Sequence, residues 1–260
     1  IGLDHQDFLG DDLEQIGREK AGVFRPDQRV VLGSVTDSVR NAATELRCTV
    51  QALGVDFVVT EQSESWSYSS RDRTLPDLPR GVLAPTNFAL AITAASALVS
   101  LATDQIEAAI RTARLPGRME RWHCAGQLIL LDVAHNPDGA RFLAKQLHCC
   151  YPGMEFVGIL GMLQGKMPLE VVSELPMVRG WWLTPTLGPR GRGAGELAEI
   201  LCDHADTEVT EGFPAAIEQA LSSAPAGSGI LILGSFSVVE QARNWLVRTP
   251  HCVAHQAESS

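Results

Sequence analysis

Lys20 stands in "GREKAG", between Glu19 and an Ala-Gly pair, in a chain with only three lysines against eighteen arginines. A solvated helix face accepts Arg there equally well, so charge alone does not select Lys. Chemistry can select it: a lysine amine can lose its proton when buried and react, whereas a guanidinium stays charged and inert. His5 lies fifteen residues earlier, and two potential ligands near one strand end could share a metal site. Imidazole suits magnesium poorly, because that ion takes oxygen ligands in near-octahedral geometry. A lysine that has taken up carbon dioxide is a carbamate with two anionic oxygens, which suits magnesium well. The plain alternative for Lys20 is a surface cation at a helix end.

Four more clusters carry polar chemistry behind apolar runs: "DVAHNPDGA" (132–140), "GMLQGK" (161–166), "TPTLGPRGRG" (184–193) and "GSFS" (234–237). Asp132 ends the run "LILL" and suits a sugar hydroxyl or a cation-linked role. Its bland role is to cap the helix that follows, for which Asn136 is at least as good a candidate. Arg118, in "LPGRME", follows a linker-like turn, and its planar fork matches a phosphate; the alternative is a solvated linker arginine. "GPRGRG" offers backbone N–H groups to an anion, although short Gly/Arg turns are common.

The elements that must position these residues read as follows. A helix is expected over 11–22, with Asp11 as N-cap and Glu14 three residues on in a capping box. A strand follows at 29–34, an amphipathic helix at 37–54 and a strand at 56–60. Residues 61–81 read as a hairpin or loop, 84–102 as a helix apolar all round and therefore buried, and 103–115 as a capped helix. Beyond that, strands at 127–134, 155–161, 180–185 and 229–235 alternate with helices at 137–150, 167–176, 194–204, 213–223 and 236–248. Unbroken apolar strands separated by helices predict a parallel sheet covered on both faces, a doubly wound α/β domain. In such sheets ligands collect beyond the carboxyl ends of the strands, where the four clusters fall. The expected division is 1–114, 115–250, and a disordered tail at 251–260.

With 260 residues, 45% of them hydrophobic, the chain can bury a sizeable core. A net charge of −10 argues against a general nucleic-acid or anionic-membrane surface. Six cysteines without a CxxC pair read as buried thiols in a reducing compartment, which makes the cytoplasm the default. The chain opens at Ile1 inside an apolar segment that reads as the end of a strand whose beginning is missing, so a fragment is expected.

Taken in order, "GLDHQDFLGDDLEQIGREKAGVFRP", "LPGRME", "LDVAHNPDGA", "GMLQGK", "GPRG" and "GSF" cover nearly the whole chain. Together they resemble the folylpolyglutamate synthases, in the bacterial form often also a dihydrofolate synthase, of the Mur ligase superfamily. The resemblance implies the rear of a Mur-ligase-type ATP-binding domain (1–114) followed by a Rossmann-like glutamate ligase domain (115–250). It implies an ATP- and Mg2+-dependent amide ligase that phosphorylates a pteroate or folate carboxyl group and then couples it to L-glutamate. It also implies a monomer that handles small molecules.

Residue by residue, the resemblance makes His5 a magnesium ligand and Lys20 a carbamylated, catalytic metal ligand. Asn87, in "PTNFALA", would contact the base or ribose of ATP, Arg118 the phosphates, and Asp132 the nucleotide. His135, counted also as catalytic, and Ser235 would lie toward the glutamate. The family's Gly-rich phosphate loop has no counterpart here, "GMLQGKM" lacks the usual acidic residues, and Ser237 stands where a histidine is usual. The chain is therefore expected to be inactive alone. A non-catalytic nucleotide- or glutamate-binding remnant and a muramyl-peptide ligase are the alternatives.

Overall fold

The computed structural model describes residues 12–254, and the chain divides into two compact units between Ala113 and Arg114. In the first unit, helix α1 (Leu13–Ala21) starts at Asp12, whose carboxylate accepts the Glu14 N–H at 2.9 Å. The expected cap, Asp11, and with it the expected capping box, lie outside the described residues. Glu14 instead turns to the next helix, α2 (Asp37–Glu45), and accepts the N–H groups of Asp37 and Ser38 at 3.3 and 2.7 Å. Those bonds hold its carboxyl group below the usual carboxylate range, the Ser38 backbone bond contributing most. A negative charge at the positive end of α2 is the favourable arrangement.

The helix expected over 37–54 ends early. Arg47 takes a left-handed φ of 54°, the chain turns, and strand β2 (Thr49–Ala52) pairs in parallel with β1 (Arg29–Leu32). The β-branched Thr49 and Val50 favour that outcome. Residues 57–79 form an antiparallel sheet of β3 (Phe57–Glu61), β4 (Ser65–Ser70) and β5 (Thr74–Pro79). Its inward residues Phe57, Trp66, Tyr68 and Leu78 pack against Phe88 and Ile92 of α3 (Pro85–Ser96) and Ile106 and Ile110 of α4 (Thr103–Thr112). Helix α3 is not buried all round: it is shorter than expected, and Asn87, Ala91 and Ala94 are exposed. Spaced four and three apart, they share one face.

The second unit is built on a seven-stranded sheet ordered β10-β9-β8-β11-β7-β6-β12. Five of its strands run parallel: β7 (Gln127–Leu131), β8 (Phe156–Leu160), β9 (Val178–Leu183), β10 (Thr207–Val209) and β11 (Gly229–Leu233). Two antiparallel strands, β6 (Glu120–Cys124) and β12 (Cys252–Ala254), complete one edge. Helices α5 (Pro137–Cys150), α6 (Pro168–Ser173), α7 (Ala194–Leu201), α8 (Phe213–Ser223) and α9 (Phe236–Arg248) connect the strands. All five residues of β11 are buried, as expected for a strand covered on both faces. Ile129, Leu131, Ile230 and Ile232 meet Phe213 and Ile217 of α8 and Val239 and Leu246 of α9 in one core.

The doubly wound reading is therefore right for the central strands, while β6, β10 and β12 are additional. Of the tail expected to be disordered at 251–260, Cys252–Ala254 is a strand paired with β6, Cys252 opposite Cys124, and 255–260 lie outside the described residues. The cysteine reading is corrected too. Cys124 and Cys252 form a disulfide, as register partners on adjacent antiparallel strands can, and Cys149, Cys150 and Cys202 are exposed.

Candidate functional site

The strand order changes direction at β8 and β11, since the chain runs from β8 outward to β9 and β10 but places β11 and β7 on the other side. Such a switch point leaves a crevice at the carboxyl ends of the strands. The ends of β8 and β11 meet closely there. The Gly161 N–H donates to the Leu233 carbonyl at 3.2 Å, and Gly234, at φ 111°, would place a Cβ 2.8 Å from the Gly161 carbonyl oxygen. Only glycine serves at that position.

Asp132 follows β7 at this edge and is 6% exposed. It does not cap α5; Asn136 does, its side chain accepting the Gly139 N–H at 2.8 Å. Asp132 instead accepts two backbone N–H groups, from Ala134 at 2.8 Å and Met119 at 2.9 Å. Its carboxyl group is held above the ordinary range, burial outweighing those two bonds and the charges of Arg118 and His135. Arg118 Nη1 stands 4.0 Å from Asp132 Oδ1 with its side chain 43% exposed, so it shields the carboxylate while remaining open to solvent.

The turn before Arg118 is braced. Gly117, at φ 69°, donates its N–H to Glu120 Oε2 at 2.8 Å and accepts the Val133 N–H at 2.8 Å. A Cβ on Gly117 would lie 2.9 Å from Val133 Cγ1. Glu120 Oε1 also accepts from Trp122 Nε1 and Arg243 Nε, each at 3.0 Å. One carboxylate thus ties the turn to β6 and α9. Beside it a groove of about 620 Å³ is lined by Pro116, Val133, Phe236, Val239, Arg243 and Arg248, among others.

His135 is half-buried, and its Nδ1 lies 2.8 Å from the Val133 carbonyl oxygen. A carbonyl only accepts, so this contact makes Nδ1 the protonated nitrogen of a neutral ring. Ser235 is 3% exposed and serves as N-cap of α9, its Oγ accepting the Val238 N–H at 3.2 Å. Asp132, Arg118, His135 and Ser235 are all in the second unit, at or beside the carboxyl edge. Asn87 lies on the exposed face at the start of α3, and Lys20 is exposed in the last turn of α1. Both belong to the first unit. His5 lies outside the described residues. Among the described residues no group of three or more His, Cys, Asp or Glu is arranged to hold a metal ion. No described helix is long and apolar enough to cross a membrane.

A second network at the same edge escaped the motif reading. Gln164, after β8, donates to both Glu196 carboxylate oxygens at 3.0 and 2.8 Å, and its N–H donates to the Arg190 carbonyl at 2.9 Å. Arg192 is 6% exposed. Its terminal nitrogens reach the Lys166 carbonyl at 3.4 Å, and its Nε makes no hydrogen bond but lies 3.3 Å from Glu196 Oε1. The Gly/Arg turn therefore acts through a buried guanidinium that clamps the 161–166 loop. Its signal in the sequence was an Arg four residues before a Glu at a helix start, a helical ion-pair spacing.

Comparison with known proteins supplies the family context. Residues 117–236 match the Mur ligase, glutamate ligase domain. The dihydrofolate synthase/folylpolyglutamate synthase of Escherichia coli (strain K12) is 31% identical over 243 residues, covering 92% of this chain and 57% of the relative. The structure of E. coli FolC in complex with DHPP and ADP is similar with a TM-score of 0.83 at 30% identity, covering 95% of this chain and 60% of that one. The bifunctional folylpolyglutamate synthase/dihydrofolate synthase from Yersinia pestis CO92, complexed with AMPPNP and a Mn ion, gives a TM-score of 0.82 at 32% identity with the same coverage. The chain spans less than two thirds of the length of each of these relatives.

Proposed function

We propose, from the match of residues 117–236 to the Mur ligase, glutamate ligase domain and the similarity to the dihydrofolate synthase/folylpolyglutamate synthases, that the chain is part of an ATP-dependent ligase joining L-glutamate to dihydropteroate or a folate. The observation that carries the reading is the Asp132–Arg118 pair. A buried carboxylate fixed by two backbone N–H groups and a half-open guanidinium meet at the carboxyl edge of a doubly wound sheet.

The chemistry requires two anionic substrates and a triphosphate to be brought together, which calls for cations aimed at developing phosphoryl charge. Arg118 would supply one such cation from the braced turn, and Asp132 would hold Arg118 and accept from the nucleotide. His135 and Ser235 would face the glutamate end. Asn87 would meet the base or ribose. A divalent ion, when bound, would neutralise phosphate charge; Lys20, as a carbamate, and His5 are the residues assigned to it.

The chain alone is expected to turn over nothing, because no backbone cradle for the β- and γ-phosphates is recognisable among the described residues. The test joins the upstream part of the E. coli relative to residues 1–260 and measures ADP and amide with dihydropteroate, L-glutamate, ATP and magnesium. Amide formation by the joined protein, abolished by Arg118→Ala, supports the reading. A folded joined protein that makes no amide, while the E. coli halves rejoined at the same point are active, contradicts it and favours a binding remnant.

A further inference from the structure

Among the described residues, strand β12 is the outermost strand of the second unit and pairs only with β6. It is three residues long, and Val253 and Ala254 are exposed, so its ladder and its apolar burial hold it weakly. Cys252 packs against the core cluster and is bonded to Cys124, which is 4% exposed. The two cysteines are register partners, 128 residues apart in sequence. The loop they close contains everything from β7 to α9, nearly the whole unit. A link across so long a loop removes much of the freedom of the unfolded chain.

We propose that Cys124 and Cys252 form a reversible oxidative modification site, exchanging with a glutathione-type thiol–disulfide couple, which sets the order of strand β12 and the stability of the second unit. The Cys252 thiolate, partly buried on the edge strand and the less covered of the two, attacks one sulfur of glutathione disulfide. A mixed disulfide forms and one glutathione thiolate leaves. The Cys124 thiolate then attacks the Cys252 sulfur and expels the second glutathione. The two protein sulfurs lose two electrons, glutathione disulfide gains them, and the two thiol protons end on the two released glutathiones. Reduction is the reverse, with entry at Cys252 because Cys124 is covered. Cys149 and Cys150 are exposed but successive on α5, where neighbouring side chains diverge, so they do not compete as a pair. The proposal is independent of the ligase reading, since it concerns one edge of one unit.

The test equilibrates the purified chain in buffers of excess glutathione disulfide or millimolar reduced glutathione, traps free thiols by alkylation, maps the peptides by mass spectrometry and follows thermal unfolding. The expected result is a Cys124–Cys252 link in the oxidising buffer, opened in the reducing buffer while the protein stays folded. Reduction should lower the unfolding midpoint by on the order of 10 °C, and Cys252→Ser should match the reduced wild type in both buffers. Should Cys252→Ser fail to fold, hydrogen exchange at 252–254 is compared between oxidised and reduced wild type, and it should be faster on reduction. Alkylation of both thiols in the oxidising buffer, a link that opens only after denaturation, or identical midpoints in the two buffers would overturn the proposal.

Discussion

At the scale of single residues, Asp132 shows competing effects most clearly. Burial favours its neutral form, yet two backbone N–H groups require both of its oxygens as acceptors. Asp132→Asn removes a buried charge but turns an amide NH2 toward one of those donors. An unsatisfied buried donor costs about 1–3 kcal/mol, and urea unfolding of the variant should show a loss of that size. The sign with pH follows from the raised carboxyl group. The contribution of Asp132 is greatest below its unfolded value and falls as pH rises through the folded one. The deficit of Asp132→Asn should therefore be larger near about pH 4 than near about pH 7; a deficit that grows with pH would show the group to be held low instead. Lys20 makes a different prediction. In the joined protein Lys20→Arg keeps the charge but cannot form a carbamate, and the amide-forming rate should drop roughly a hundredfold. A rate within about twofold would make Lys20 an ordinary surface cation.

At the scale of elements, the closest constraint is the meeting of β8 and β11. Gly234→Ala would force a Cβ into a left-handed position 2.7 Å from Met162 Cγ and 2.8 Å from the Gly161 carbonyl oxygen. The expected cost is about 2–4 kcal/mol, from backbone strain and overpacking together. A midpoint unchanged in thermal unfolding would mean that the strand ends part freely. The helices α5, α8 and α9 were legible in the sequence over their full lengths, because a Pro or Ser start and a clean apolar period mark each one. Strand β2 was not: "CTVQALG" continues the period of the helix before it, and the break depends on Arg47 turning left-handed. Strands β10 and β12 are three residues long, too short for any period, and only pairing with a neighbour defines them. At the site, Asp132 could be read from its place after an apolar run, Asn136 from its place before a Pro-started helix and Arg118 from its linker-like turn. The brace by Glu120 and Arg243 could not, because 123 residues separate its partners.

At the scale of the whole molecule, four polar clusters lie along one sheet edge, and the proposed function puts a single chemical question to them, namely how a carboxyl group is activated for attack by an amine. An acyl phosphate route makes a prediction about atoms. One carboxylate oxygen attacks the γ-phosphorus of ATP, and the amine of glutamate later expels phosphate carrying that oxygen. The decisive measurement supplies the joined protein with dihydropteroate labelled with heavy oxygen in its carboxyl group, together with ATP, magnesium and L-glutamate. Mass spectrometry of the products should find one labelled oxygen in each inorganic phosphate released and one retained in each amide. Amide formed with unlabelled phosphate would contradict the acyl phosphate route, and ADP released without amide would contradict a glutamate ligase.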